Sequence, residues 1–311
     1  MAYYSGTAGS LTDLRTALLA HAVADGWTLT GDVLSKSGVY FRIREVSGRI
    51  ELLGCTDNAV SNPAPGVVAI GKIWGRTGFT TQLITFPCNY EVFGFTQELY
   101  LVVNYEVSKY QWMAFGKSTV PGLAGTGAWC GATAGTILAA AKTSTDLPWV
   151  LWLSVSVGGV GSYPTNCGAL FWTTQAGQQA ARNCWVHHGL DSLGWFWGGG
   201  GIGEAPIGVR YFDDINAFQP SAWNSEAALL PMQAWIRRAS YKSSLVADLE
   251  HARNFRIDNL NGGDILTIGS DKWKVFPWYV KDSTYRNGTT DSTLPCDHSG
   301  TLGWAIRYEG Q

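Results

Sequence analysis

The sequence contains little charge. Only 15% of its 311 residues are charged, whereas roughly 25% is usual in a globular domain. The formal net charge of −2 provides no basic surface to neutralise phosphates, which argues against a nucleic-acid partner. Because so few charges cannot cover the whole surface, we expect part of that surface to be buried in an assembly.

Long apolar runs are also absent. No run approaches the length of about 18 residues that a membrane span requires, and residues 1–6 lack the basic start and apolar stretch of a signal peptide. We therefore predict a chain that has no membrane span and is made in the cytoplasm.

The cysteines lack the close spacing of a disulfide framework, and a cytoplasmic origin favours free thiols. We expect these thiols to pack as small apolar side chains. The six positions are Cys55, Cys88, Cys130, Cys167, Cys184 and Cys296.

Sequence motifs typical of catalytic sites are also absent. No G-x-S-x-G, H-E-x-x-H or G-x-x-x-x-G-K-[ST] string occurs. Asp213 and Asp214, with Glu204 nearby, are the best candidates for the carboxylate pair of a glycosidase. A solvated turn after a strand at 209–212 is the preferred interpretation of these residues, so we predict that the protein is not an enzyme.

One set of cysteine and histidine residues could be combined into a zinc site. The set consists of Cys184, His187, His188, Cys296 and His298. Its spacing is not that of a standard paired-ligand motif, and adjacent histidines in a strand point to opposite faces. We interpret the local segment as a loop with hydrogen-bonded imidazoles and predict no metal and no cofactor.

Glycine and aromatic residues are abundant, with 38 Gly, 15 Trp, 13 Tyr and 12 Phe. Aromatic residues favour strands, whereas helix-rich proteins favour Ala, Leu, Glu and Lys. The sequence therefore predicts a mainly β fold of antiparallel sheets in sandwich-like units.

One amphipathic helix is predicted near the N-terminus, between residues 10 and 24. Its apolar residues recur at helical spacing: they are Leu11, Leu14, Leu18, Leu19 and Val23. Ser10 or Thr12 can cap its first turn, and Gly26 ends it. Strands predicted at 27–30, 39–46 and 49–54 would complete an α+β region.

The rest of the sequence predicts further strands. In the segments 81–95 and 98–116, aromatic and polar positions alternate. One face of the second segment is apolar and should line the core: Leu101, Val103, Tyr105 and Val107. A strand at 149–157, a short helix at 135–141 and a C-terminal meander complete the prediction. The meander strands lie at 228–238, 244–249, 255–260, 264–269 and 272–280.

Composition also suggests a division into domains. Two prolines between residues 61 and 66 prevent a regular strand ladder there. We predict a helix with a small antiparallel sheet at 1–60, a Gly- and Trp-rich β domain at 66–225 and a β meander at 226–311.

The segment 183–203 is the candidate contact site. It holds three tryptophans and seven glycines, and its run of four glycines favours an irregular loop. Aromatic rings on such a loop can anchor a protein interface, stack on a sugar or belong to the core of the chain itself. We predict interface or glycan contacts for Trp185, Trp195, Trp197, His187 and His188.

Several segments resemble a family of virion structural, tail-associated proteins of tailed bacteriophages and prophages. They are residues 1–38, ELYLVVNYEVSKYQWMAFGKS at 98–118, VHHGLD at 186–191, NFRIDNLNGGDILTIGSDKWKVFPWY at 254–279 and DHSGTLGWAIRYEG at 297–310. The resemblance covers both ends and the middle of the chain, and none of its motifs is a catalytic signature.

The resemblance implies a place in the virion tail more firmly than it implies a mechanism. We expect a structural subunit of the baseplate or tail tip that is made in the host cytoplasm. Its partners would be other virion proteins and further copies of itself in a symmetric assembly. The alternatives are a module that binds a host-surface glycan, a neck or collar protein, and a virion-associated polysaccharide hydrolase.

Overall fold

A computed structural model describes residues 1–74, 81–135, 170–171, 183–197, 228–238, 242–278, 281 and 302–310. Among these residues the fold is mainly β, with 55% strand and 9% helix, in three antiparallel sheets with one helix near the N-terminus. This architecture confirms the predicted fold class. A short two-stranded ribbon, β7 (Lys72–Trp74) and β8 (Thr81–Leu83), accompanies the sheets.

The helix α1 spans Leu11–Ala24, as its spacing predicted. The Ser10 hydroxyl accepts a hydrogen bond from the Asp13 amide at 3.1 Å, which caps one of the free amides of the first turn. The predicted leucines are all buried. Val23 is exposed, because it lies off the buried stripe in the last turn, so its assignment to that stripe is wrong.

The helix ends in a Schellman motif. Gly26 adopts a φ of +85°, and its amide donates to the Val23 carbonyl at 3.0 Å. The next amide, that of Trp27, donates to the Ala22 carbonyl at 3.0 Å. The predicted helix stop at Gly26 is therefore confirmed together with its mechanism.

The N-terminal sheet has six strands in the order β13-β6-β5-β4-β3-β2. They are β2 (Thr28–Thr30), β3 (Val33–Lys36), β4 (Val39–Val46), β5 (Arg49–Cys55), β6 (Val68–Ile70) and β13 (Ala134–Gly135). Two-residue turns join β3 to β4 and β4 to β5, with positive φ at Ser37, Gly38, Ser47 and Gly48. Such turns match the twist of the strands they connect.

The central sheet has seven strands in the order β1-β9-β10-β11-β12-β14-β15. They are β1 (Ala2–Ala8), β9 (Cys88–Gly94), β10 (Glu98–Glu106), β11 (Lys109–Lys117), β12 (Ala128–Ala132), β14 (Cys184–His187) and β15 (Trp195–Trp197). The N-terminal strand β1 pairs with β9, whose residues lie 80 to 92 positions further along the chain, and no local sequence pattern predicts this pairing.

The central sheet is buried on both faces. Leu101, Val103 and Tyr105 pack toward α1 and the N-terminal sheet, as predicted. Tyr100, on the opposite face, packs toward the C-terminal sheet in a second core. The segment 98–116, predicted as one strand, forms the two paired strands β10 and β11. Val107 is 92% exposed because it lies in the turn between them, so its predicted core position is wrong.

The C-terminal sheet has five strands in the order β16-β17-β20-β19-β18. They are β16 (Leu230–Arg237), β17 (Ser243–Arg256), β18 (Ile265–Ile268), β19 (Asp271–Pro277) and β20 (Leu302–Arg307). The long strand β17 is continuous, so the break predicted between 249 and 255 is wrong. The predicted strand at 149–157, and residues 136–141 of the predicted short helix, lie outside the described residues.

The predicted division into three domains stays a prediction. Strand pairing joins both sides of the segment 61–66, because β1 pairs with β9 and β5 pairs with β6. All five strands of the C-terminal sheet fall within the predicted 226–311 unit.

Candidate functional site

The predicted contact segment forms a hairpin at one edge of the central sheet. Strand β14 pairs with β12 on one side and with β15 on the other. A 3-10 turn over Leu190–Ser192 connects β14 to β15. The irregular loop predicted for 183–203 is therefore corrected for 183–197, whose ends form regular strands, while residues 198–203 lie outside the described residues.

The tryptophans of this hairpin face inward. Trp185 is fully buried in the core shared with the N-terminal sheet, and Trp195 is buried in the same core. Of the alternatives considered for these two rings, the core of the chain itself is the one that the structure shows, because strand pairing turns them toward the chain's own interior. Trp197 pairs with Trp185 in the ladder, and its side chain lies outside the description. Contacts made by this segment in an assembly stay a prediction.

Trp195 ties the hairpin to the N-terminal sheet. Its indole Nε1 donates to the Asn62 carbonyl at 2.8 Å. Its ring lies so close to Gly54 that a Cβ there would come within 2.2 Å of the ring. Gly54 on β5 therefore leaves the space that Trp195 fills.

The loop 118–127, between β11 and β12, closes over the hairpin. The amides of Gly125 and Gly127 donate to the carbonyls of His188 and His187, both at 3.0 Å. A Cβ at Gly125 would lie 2.6 Å from the His187 carbonyl oxygen. Glycine is required at this position because only a backbone without a side chain can approach so closely.

Both predicted histidines are buried and hydrogen-bonded. Nδ1 of His187 accepts from the Thr126 amide, and Nδ1 of His188 accepts from the Leu190 amide, both at 3.0 Å. Burial lowers the pKa of His187, and burial together with the neighbouring His187 lowers the pKa of His188 to about 4. The prediction of hydrogen-bonded imidazoles is therefore confirmed.

The second face of the central sheet meets the C-terminal sheet through aromatic side chains. Trp278 and Trp304 stack with ring centroids 4.8 Å apart and planes 20° from parallel. Trp112 of the central sheet meets both rings edge-on or tilted, at 5.4 and 5.5 Å. All three rings are fully buried, so this junction is a core and not an open cleft.

A buried carboxylate lies at one end of this junction. Glu98 on β10 accepts from the Tyr100 hydroxyl at 2.9 Å and from the amides of Glu250 and His251 at 3.0 and 3.1 Å. The His251 ring Nδ1 lies 2.8 Å from the same carboxylate, and the ring stacks on Phe95. Four hydrogen bonds offset the cost of burying Glu98 and fix β17 against the central sheet.

A second polar cluster lies on β9 and β19. Lys274 forms an ion pair with Glu91 and a hydrogen bond at 3.1 Å with the Tyr3 hydroxyl, which donates to Glu91 at 2.7 Å. Burial on its own lowers the pKa of Lys274, but the hydrogen bonds that its ammonium group donates to Glu91 and Tyr3 raise that pKa above its ordinary value. Sequence reasoning missed both clusters, because each joins segments that are 88 to 271 residues apart in the chain.

Aliphatic side chains are exposed on the edge strand β18. Ile265 is 48% exposed and Ile268 is 49% exposed. Strand β18 pairs with β19 on one side and with no other strand among the described residues. An edge strand presents unpaired amides and carbonyls, and exposed isoleucines beside them add an apolar contact surface.

A cavity of about 350 Å³ lies beside the loop 118–127. Its walls include the Ser37–Gly38 turn, Thr126 and Lys117, whose Nζ donates to the Ser37 carbonyl at 2.7 Å. The lining is mainly backbone, hydroxyl groups and one cation, which suits a polar ligand better than an apolar one.

The predicted cysteine chemistry is confirmed where the structure describes it. Cys55, Cys88, Cys130 and Cys184 are free and buried. Burial raises their pKa values, to about 11 for Cys55 and Cys88 and to about 12 for Cys184, so these thiols stay protonated.

Part of the candidate zinc site and all of the candidate carboxylate pair lie outside the residues that the structure describes. No three His, Cys, Asp or Glu side chains gather as metal ligands among the residues that the structure describes. Cys296 and His298 of the weighed zinc set, and the carboxylates Glu204, Asp213 and Asp214, lie outside those residues.

Comparisons with known proteins do not identify a family. No family model matches the sequence, and a search of curated proteins finds no significant match. Within the described part of the chain, no helix is long and apolar enough to cross a membrane.

Proposed function

We propose that this chain is a non-enzymatic structural subunit of a tailed-phage virion, located in the tail baseplate or tail tip. The sequence resemblance supports the location. The exposed apolar edge of β18 is the structural observation that supports a subunit role, because a free strand edge with exposed isoleucines is suited to pairing with another chain.

The low charge of the chain supports the same role. Few charged side chains are available to keep a free strand edge apart from other chains. In the virion, a strand of a neighbouring subunit covers Ile265 and Ile268 and extends the C-terminal sheet. The aromatic junction and its two polar clusters keep that sheet fixed on the central sheet, so the edge is presented in a constant orientation.

The test is incorporation of variant chains into particles. The encoding phage genome is deleted for this chain and complemented with the double substitution Ile265→Lys and Ile268→Lys, or with Val107→Lys. Val107 is the control because it is an exposed aliphatic residue in a turn and not on a free edge. Two like charges at the edge should lower incorporation by at least about tenfold, or about 1.4 kcal/mol, while the control incorporates normally.

Mass spectrometry of purified particles gives the result, with circular dichroism of the isolated chains as the folding check. Equal incorporation of the edge variant and the wild type would show that β18 is not the contact. Absence of the wild-type chain from purified particles would overturn the virion role itself.

Glycan recognition is the second candidate function, and the cavity beside Lys117 is the observation that favours it. The hydroxyls and backbone groups of this cavity can form hydrogen bonds with a sugar, and Lys117 supplies a positive charge. The variant Lys117→Met separates the two functions. Normal incorporation with reduced adsorption to host cells would support glycan recognition, whereas unchanged adsorption would exclude this cavity as the receptor site.

A further inference from the structure

The hairpin 183–197 is held at its edge by contacts that depend on neutral histidines. On its outer side the hairpin is bound to the loop 118–127 through the two glycine amides described above, at 3.0 Å each. Between those bonds, the Thr126 amide donates to Nδ1 of His187 at 3.0 Å. His187 therefore holds the loop through its carbonyl oxygen and its ring, whereas His188 holds the loop through its carbonyl oxygen alone.

Each imidazole accepts a backbone hydrogen bond that only its neutral form can make. A neutral histidine has one acceptor nitrogen, and a protonated histidine has none because both nitrogens carry hydrogen. Protonation of His187 would place its Nδ1 hydrogen against the Thr126 amide hydrogen. The Thr126 hydroxyl, also 3.0 Å from Nδ1, could accept from the protonated ring, but the Thr126 amide would lose its acceptor. Protonation of His188 would do the same toward the Leu190 amide, which lies in the turn that joins β14 to β15.

The surroundings do not compensate a positive charge. His187 packs on the ring of Trp195 at 5.0 Å, and His188 packs on the ring of Phe196 at 5.7 Å. His188 is fully buried, and its Nε2 has no hydrogen-bond partner among the described residues. A charged imidazolium there would keep an unpaired donor in an apolar site, which costs more than an unpaired neutral donor.

The charged groups nearest the pair are already matched with each other. The Asp191 carboxylate lies in the turn between β14 and β15. It accepts two hydrogen bonds, at 2.6 and 2.9 Å, from the guanidinium of Arg238, which directly follows β16. Lys242 adds positive charge on the same side. Arg238 lowers the pKa of Asp191, so this ion pair stays charged in mild acid and Asp191 is not released to neutralise the histidines.

We propose that protonation of His187 and His188 detaches the hairpin 183–197 from the loop 118–127, so that this edge of the central sheet is an acid-operated latch. Opening exposes Trp185 and Trp195, which are buried in the closed form, together with the buried thiol of Cys184. This inference is independent of the β18 contact proposed above.

The direction of the pH effect follows from the burial of both rings. The pKa of each histidine is lower in the closed form than its ordinary value of about 6.5, and that of His188 falls to about 4. The open form therefore binds protons first as the pH falls. The stability of the closed form is complete above about pH 6.5 and is lost progressively toward about pH 4.

Thiol labelling of the full chain tests the latch. Cys184 lies on the hairpin strand β14, whereas Cys88 lies on β9 and is equally buried, so it reports global unfolding. Both are labelled with dithiodipyridine at about pH 7.5 and about pH 5, on either side of the ordinary histidine pKa, and each site is quantified by mass spectrometry. The ratio of the Cys184 rate to the Cys88 rate should rise at least about tenfold in acid.

The matched variant is His187→Asn with His188→Asn. The Asn amide oxygen lies near the position of Nδ1 and accepts a hydrogen bond without titrating in this range. In this double variant, the ratio of the Cys184 labelling rate to the Cys88 labelling rate should stay the same at both pH values. His21→Asn is the control, because it removes a histidine from α1 and leaves the hairpin untouched, so the acid rise should persist.

Two results would overturn the proposal. One is a wild-type ratio that does not change with pH, and the other is an acid rise that persists in the double Asn variant. If that variant does not fold, titration of the wild-type imidazoles by nuclear magnetic resonance decides: midpoints near 6.5 with the hairpin amides still protected would contradict the latch.

Discussion

The side-chain exposure at two sheet edges of this chain is the opposite of what their composition suggests. The edge at β14–β15 is rich in tryptophan and glycine, yet Trp185 and Trp195 are buried within the chain. The edge at β18 has an ordinary aliphatic sequence, yet Ile265 and Ile268 are about half exposed. The difference shows that glycine beside tryptophan can serve close packing within one chain, while exposed aliphatic side chains can lie on an edge with no distinctive composition.

Among substitutions at the β14–β15 edge, removing Trp195 should lower the free energy of unfolding the most. Trp195→Ala deletes a buried ring and its hydrogen bond to Asn62, and should lower the free energy of unfolding by about 3–5 kcal/mol. Trp235→Ala is the matched control, since that ring is 39% exposed and makes only an exposed contact with Gln233. We expect a loss under about 1 kcal/mol there. Urea unfolding measures both, and similar losses would mean that Trp195 is not a core residue.

Closing the gap at Gly125 should have the next largest effect. The added methyl group of Gly125→Ala would collide with the His187 carbonyl, so the loop 118–127 must move away from the hairpin. A loss of about 2–3 kcal/mol is expected. In Gly9→Ala the new methyl group meets only the flexible Asp13 carboxylate at 3.2 Å, so that control should stay within about 0.5 kcal/mol of the wild type. A Gly125 variant as stable as its control would show that the loop does not pack on the hairpin.

Substitution on the β18 edge should have the smallest effect on the isolated chain. Ile265→Lys with Ile268→Lys replaces exposed side chains and should change the free energy of unfolding by no more than about 0.5 kcal/mol. Thermal unfolding of the purified variant measures this. A large loss of stability would mean that these side chains support the fold of the chain itself, and the difference between the two edges would disappear.

Local patterns were sufficient to predict the helix and part of the strands. The spacing of Leu11, Leu14 and Leu18 located α1, and the glycine turns after Ser37 and Ser47 located the hairpins. These features depend on residues close together in sequence. Residue-level physics therefore placed the helix and four of the five strands of the C-terminal sheet, whereas β1, β3, β12 and β20 were not predicted.

Pairings between distant segments could not be predicted in the same way. The pairing of β1 with β9, and the burial of Tyr100 under the C-terminal sheet, depend on which sheets stack together. The same limitation explains why the burial of Trp185 was left as one of several alternatives. Its ring is buried because β14 joins β12, and nothing near Trp185 in the sequence specifies that partner.

A map of the virion in which this chain can be located tests the central claim most directly. The proposal predicts that the chain lies in the tail, that a strand of a neighbouring subunit runs beside Ile265 and Ile268, and that Trp185 and Trp195 stay inside their own chain. A map in which solvent borders β18 on its free side would contradict the proposed contact, and a map of the complete particle without this chain would contradict the virion role.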